Sequence, residues 1–362
     1  MTDLEEKKKK QIPIFKDLKE IQDFLLIDHK IRSRFKIILL INNGLDKNEI
    51  LNEFSIQYEI KKMEDLIYIS KIDSNTNSVV FRGYIWFIPS QPFFIIFTFA
   101  PSKAVHRYLF RPFINKNSEL NLLWITHQLT LDLIDYFNNK YDIIINRFEG
   151  YYTPSSIKKS LRRPDTSRII KYQGNDALTS YYELQELYGI NIESFGGLLD
   201  SDQFVFKRKD AIISFSIGDL TIFIEISKWI FNQATKYLQE IRKFKKDLYE
   251  SVFKERKYNL SNYINFKFNN VLSNEILDEL IREIHKSDDF EILCINEIKT
   301  SNSYAYDIEL TNRNKIGAFQ VIITPYSARI YQLINTNFMG VFPILDLIDF
   351  TQPNNTITID TP

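Results

Sequence analysis

One cysteine, ten glycines and no surplus of charge of either sign set the first limits on this chain. The lone Cys294, inside the apolar run FEILCINEI, rules out an intrachain disulfide framework and a cysteine-rich zinc site. Only four histidines are present, His29, His106, His127 and His285, and none is spaced as HxxxH or HExxH, so no metal motif appears. The few glycines form neither GxxxxGK[ST] nor GxGxxG, the loops whose backbone amides cradle phosphates, and there is no GxSxG nucleophile elbow. No cofactor, bound metal or catalytic residue is therefore expected. Lys+Arg and Asp+Glu both number 46, so an argument for nucleic acid must come from local clustering and not from overall charge.

Long uninterrupted apolar runs are missing too. The most apolar stretch, VVFRGYIWFIPSQPFFIIFTFAPS (79–102), is entered by Arg82 and broken by Pro89-Ser90-Gln91-Pro92. A membrane span needs about 20 nearly continuous apolar residues, so this stretch predicts two buried strands around a proline-bounded turn. The start, MTDLEEKKKK, lacks the apolar core of a secretory signal, and a reducing cytoplasm is the expected compartment.

What remains is a globular chain of 362 residues, 44% hydrophobic and 14% aromatic, with 29 Phe and 20 Tyr, long enough for two or three domains. Hydrophobic periods and caps predict helices at 17–29, at 119–139, from Gly174-Asn175-Asp176 to Gly189, from Ser227 to about Arg256, and from Ser273 to before Ser287. An Asp46–Glu49 capping box opens another helix, expected to reach about residue 62. Strands are predicted at 34–42, 66–72, 79–88, 93–99, 203–208, 211–217 and 220–226, with Gly196-Gly197 as a turn before 203. A helix followed by strands with Ser/Asn-rich turns and a closing Pro recurs at 46–104 and 273–328. The expected architecture is α+β, with small antiparallel sheets packed by helices. The expected divisions are 1–150, a basic linker at 151–175, a central sheet with a long helix at 176–260, and a C-terminal α+β unit at 261–362.

Catalytic chemistry has one candidate. Asp289 upstream of Glu297-Ile298-Lys299 resembles the metal-dependent nuclease pattern of an Asp and a Glu-x-Lys on neighbouring strands, where two carboxylates hold Mg²⁺ and a lysine sits near the attacking water. Acid-x-base triplets arise about six times by chance at this composition, and Glu59-Ile60-Lys61 is another. Cys294 reads as a small hydrophobe in a buried strand.

Binding features are better represented. The stretch SSIKKSLRRPDTSRIIKYQ (155–173) carries Lys158, Lys159, Arg162, Arg163, Arg168 and Lys171 against Asp165, a net charge of +5 in 19 residues. Such a segment suits phosphate neutralisation, and Tyr151, Tyr152 and Tyr172 are placed to stack on bases. Its bland counterpart is a solvated linker. The segment KAVHRYLFRPF (103–113) mixes Lys103, Arg107 and Arg111 with aromatics and suits either a backbone-contacting edge or a solvated strand or loop edge. The basic residues from Lys236 to Lys257 are interspersed with acids, as on an ion-paired helix face. Lys207-Arg208-Lys209 reads as a hairpin turn, where charges commonly sit. Phe266, Phe268 and Phe338 suit either a protein interface or a core under loops.

The layout of a strand–helix segment at 66–139, the basic segment 155–173, the sheet at 203–226 and the long helix from 227 resembles the APAZ-type accessory proteins that pair with prokaryotic Argonautes in antiviral defence. The resemblance implies a non-catalytic subunit that helps to hold a guide–target duplex and signals its formation to an effector. It supplies no residue roles. The expectation is an accessory subunit with a protein partner that contacts nucleic acid through its central basic segment. A Mg²⁺-dependent nuclease and a pure interaction scaffold are the alternatives.

Overall fold

The computed structural model describes the chain except residues 1–12, 28–34, 43, 89–90, 115–116, 118–119, 142, 153–167, 189, 200–201, 216–218, 244–247, 254–255, 262, 269–270, 288, 300–303, 313–316, 334–339, 352–355 and 361–362. It runs through α1 (Leu18–Ile27), β1 (Phe35–Asn42), α2 (Lys47–Ser55), β2 (Glu59–Lys62), β3 (Ile67–Asp73), β4 (Ser78–Phe87) and β5 (Phe93–Thr98). Next comes α3, an α-turn at Ser102–Val105 that continues as a π-helix at His106–Ile114. Then follow β6 (Leu120–Leu122), α4 (His127–Lys140), β7 (Ile143–Tyr152), β8 (Arg168–Gln173), α5 (Ala177–Tyr188), β9 (Asn191–Leu199), β10 (Asp202–Lys207), β11 (Ile212–Phe215) and α6 (Leu220–Lys243). The hairpin β12 (Leu248–Phe253) and β13 (Arg256–Ser261) precedes β14 (Tyr263–Lys267), α7 (Asn274–Lys286), β15 (Phe290–Lys299), β16 (Tyr304–Asn312), β17 (Ala318–Ile323), β18 (Ser327–Gln332), α8 (Val341–Thr351) and β19 (Thr356–Asp360).

The architecture is α+β with antiparallel sheets. In the larger sheet the order is β2-β3-β4-β5-β1-β11-β10-β9-β7-β8, with β6 also on β1; in the smaller it is β15-β16-β17-β18-β14-β19. Because β1 pairs with β11, the segments 1–150 and 176–260 share one sheet. The segment 151–175 supplies its edge strand β8, whereas 261–362 carries the second sheet.

The recurrence read in the sequence is one of topology. The order β1-α2-β2-β3-β4-β5-α3 reappears as β14-α7-β15-β16-β17-β18-α8, and the strands stack in the same order in each sheet. The two units differ in what covers them. All eight residues of β1 are buried, so both of its faces must be packed. Ile38 and Leu40 meet Ile50 and Phe54 of α2 and Leu109 of α3 on one side. On the other side, Ile37, Leu39 and Ile41 join a core containing Ile21 of α1 and Ile230 and Phe231 of α6. In the second unit Phe319, Val321 and Ile323 are buried and alternate with half-exposed Gln320 and Ile322, as in a sheet packed mainly on one face.

Several elements depart from the sequence expectation. Residues 220–226 open α6 instead of forming a strand. Their β-branched content suggested a strand, but Leu220, Phe223, Ile226, Ile230 and Ala234 are buried at helical spacing. That helix ends at Lys243, and β12 and β13 occupy the sequence expected to extend it. The helix expected at 119–139 begins only at His127, after the short β6, because Thr126 caps it by accepting from the Leu129 amide at 3.0 Å. The Asp46–Glu49 capping box is present, but α2 is shorter than expected and β2 follows it. Gly196 and Gly197 lie inside β9, not in a turn. A Cβ at either would run into backbone of a neighbouring strand, the Phe204 carbonyl of β10 or the Ile144 carbonyl of β7. Phe266 and Phe268 belong to the core, and Phe338 lies outside the described residues. No helix among the described residues is long and apolar enough to cross a membrane.

Candidate functional site

The segment KAVHRYLFRPF is neither strand nor loop but the helix α3. Pro112 lies inside it, and proline lacks the N–H of a helical ladder while its ring crowds the carbonyl four residues earlier. That carbonyl belongs to Tyr108, and the Tyr58 hydroxyl donates to it at 2.6 Å. The wide π-turn accommodates the ring, and the Gln57 side-chain amide donates to the Pro112 carbonyl at 3.0 Å. Burial of Leu109, Phe110, Phe113 and Ile114 seats the helix on the sheet. Lys103, Arg107 and Arg111, four residues apart, remain exposed as one basic stripe. Tyr58→Phe, which strands the Tyr108 carbonyl, is expected to cost about 1–3 kcal/mol in urea unfolding. An unchanged midpoint would show that water replaces the hydroxyl there.

The stripe ends at a cleft of about 330 Å³ between α3, the β10–β11 turn and α8. In that turn Ala211 takes a positive φ of 48°, and the amides of Arg208 and Ala211 donate to the carbonyls of Glu193 (2.9 Å) and Arg208 (3.1 Å). The turn agrees with the sequence expectation, but Arg208 does not sit at the surface as turn charges commonly do, since its side chain is only 1% exposed. Its guanidinium bridges two carboxylates, Glu193 of β9 at 3.0 Å and Asp346 of α8 at 2.9 Å. A buried guanidinium needs such partners, because an uncompensated charge out of water is strongly destabilising. The bridge and the packing of Trp124 against Phe342, with ring centroids 6.0 Å apart, tie the second unit to the first. At the mouth, Lys209 Nζ lies 3.6 Å from Glu193 and His106 Nε2 lies 3.4 Å from Asp210. No local sequence signal marks Arg208, since Asp346 is 138 residues away.

Of the residues expected to contact nucleic acid, Lys158, Lys159, Arg162 and Arg163 lie outside the described residues, and Arg168 opens β8. Lys171 is exposed with Nζ 3.2 Å from Glu149 of β7. Tyr172 is part of the fold: its ring stacks on Phe148, with centroids 5.6 Å apart, and its hydroxyl donates to Asp176 at 2.8 Å. β8 lies four strands from β11, roughly 20 Å away at ordinary strand spacing. The structure therefore does not bring this segment's strand to the cleft.

The nuclease pattern does not assemble. Asp289 precedes β15 and Glu297 stands near the far end of that same strand, not on a neighbouring one. Eight residues of strand separate them by on the order of 25 Å, too far for a shared metal ion. Glu297 instead lies near the Tyr304 hydroxyl, whose pKa it raises, while Asp289 lines the cleft. Among the described residues no group of three or more His, Cys, Asp or Glu side chains is placed to hold a metal. Cys294 is half-buried beside a bulge in the edge strand β15, not enclosed in a core.

His127, the first residue of α4, is fully buried, with Nε2 3.3 Å from both the Tyr181 hydroxyl and the Gln185 side-chain amide. Burial, and secondarily the nearby Arg208 charge, lower its pKa to about 3. In an unfolded chain a histidine takes up its proton near pH 6.5. This group's contribution is thus fully present above about pH 6.5 and is lost as pH falls towards 3, at about 1.4 kcal/mol per pH unit. His127→Gln is expected to flatten the loss of stability between pH 6 and pH 4 in urea titrations. An unchanged slope would place the acid sensitivity elsewhere.

A family model, the AF_0896_M family middle domain, matches residues 130–199, which hold most of α4 together with β7, β8, α5 and β9. An uncharacterized protein of Archaeoglobus fulgidus is 28% identical over 123 residues, covering 28% of this chain and 33% of that protein. The match thus spans about a third of the relative's length. No solved structure matches the chain.

Proposed function

We propose that the chain is a non-catalytic subunit that contacts nucleic acid through the sugar–phosphate backbone, working with a protein partner in a reducing cytoplasm. The observation that carries this reading is the stripe Lys103, Arg107 and Arg111 on the exposed face of α3, leading into a cleft that Lys209 also lines. Four residues advance about 6 Å along an α-helix and less along the wider π-helix, so the three charges form a short linear track suited to successive phosphates. Each neutralised phosphate releases condensed counterions, which makes such binding steeply salt-dependent. The placement differs from the central segment favoured by the sequence, because Lys103, Arg107 and Arg111 are all exposed on α3, Arg107 lying 5.3 Å from the centroid of the Tyr108 ring, whereas the Tyr172 ring is stacked on Phe148. The accessory role beside an Argonaute-type protein rests on the layout resemblance, and co-purification with such a partner is its test.

Fluorescence anisotropy of labelled single- and double-stranded RNA and DNA tests the nucleic-acid reading. Saturable binding at 50 mM salt that fades by 300 mM is the expected result. Binding to none of the four at 50 mM salt would overturn it.

A further inference from the structure

The cleft at the end of the stripe has a composition that a simple phosphate track does not need. Arg111 and Lys209 bring positive charge to it, Asp210 and Asp289 bring carboxylates, and half-exposed Leu122 and Pro343, with the edges of the nearly buried Trp124 and Phe342, form an apolar wall. Arg208, held by Glu193 and Asp346, fixes the floor, so the site is preorganised. A bare anion would meet the carboxylates unfavourably, and an apolar molecule would strand the cations. The matching ligand carries an anionic group, hydroxyl or amino donors, and a flat ring. At about 330 Å³ the cleft falls at the small end of ligand pockets. A second hollow of about 290 Å³ continues from it, sharing Lys209, Asp289 and Asp346 and reaching Lys286 at the end of α7.

We propose that this cleft binds one nucleotide unit, a nucleoside monophosphate. The phosphate lies against Arg111 and Lys209, the sugar hydroxyls donate to Asp210 or Asp289, and the base lies along the apolar side formed by Leu122 and Pro343. This inference rests on the nucleic-acid reading above and deepens it: a strand following α3 would place a single nucleotide in the cleft, with the adjoining hollow open to its neighbour.

Isothermal titration of the full chain with AMP, GMP, CMP and UMP, alongside the four corresponding nucleosides and inorganic phosphate, tests it. The expected result is 1:1 binding of at least one monophosphate in the micromolar-to-millimolar range, with the matching nucleoside and phosphate at least ten-fold weaker. Lys209→Ala should weaken that binding about ten-fold while leaving the melting temperature within a few degrees, since Lys209 is a surface residue. Binding by no monophosphate, or binding untouched by both Lys209→Ala and Arg111→Ala, would overturn the proposal. If polymers still bind in a salt-dependent way while no monophosphate does, only the cleft inference falls. If neither binds, both readings fall.

Discussion

Arg208→Met should destabilise the protein by about 3–5 kcal/mol, the largest loss expected from any single substitution here. Methionine restores much of the arginine's apolar volume, so the loss is chiefly electrostatic. It leaves Glu193 and Asp346, which are 18% and 24% exposed, facing each other's charge without the cation between them. Lys209, 3.6 Å from Glu193, offsets part of this on one side only. The paired control is Arg208→Met combined with Glu193→Gln and Asp346→Asn. Replacing a buried ionic group as a set is often close to neutral, so the triple variant should regain most of the lost stability. Urea unfolding at pH 7 separates the outcomes. A cost below about 1 kcal/mol for Arg208→Met would show that the bridge does not join the two units energetically.

The second large effect concerns binding. Reversing Lys103, Arg107 and Arg111 to Glu changes the stripe by six charges and should weaken nucleic-acid binding about 10²–10³-fold at 50 mM salt. All three side chains are exposed and form no part of the core, so the variant should unfold at nearly the wild-type urea concentration. Reversing Lys158, Lys159, Arg162 and Arg163 separately measures what the central segment adds. If the central variant loses affinity and the α3 variant does not, the contact lies where the sequence first suggested and not on the helix.

Much of the frame was legible in the residues. The apolar strand 35–42, the Asp46–Glu49 capping box and the Ser273 cap carry local signals, and the structure has each of them. The repeated order of helix and strands could be read because turn residues punctuate both units alike. What stayed hidden was non-local. The sheet joining β1 to β11 depends on a pairing across about half the chain, which no periodicity records. Residues 220–226 misled because Ile, Phe and Thr suit a strand, yet tertiary packing placed them on a helix. Arg208 looked like an ordinary turn residue because both carboxylates that bury it come from other elements. The stripe on α3 was visible as composition, but its geometry was not. A proline at 112 argues against a helix, and one persists because the wide π-turn accommodates the ring and the Tyr58 hydroxyl satisfies the Tyr108 carbonyl.

The most direct test of the account is the salt dependence of nucleic-acid affinity for the wild type against a Lys103→Ala, Arg107→Ala, Arg111→Ala variant. Each phosphate contact adds about 0.7–0.9 to the slope of log affinity against log salt. Removing three contacts should therefore flatten that slope by about 2–3. Equal slopes in the two proteins would contradict the assignment of phosphate contact to α3.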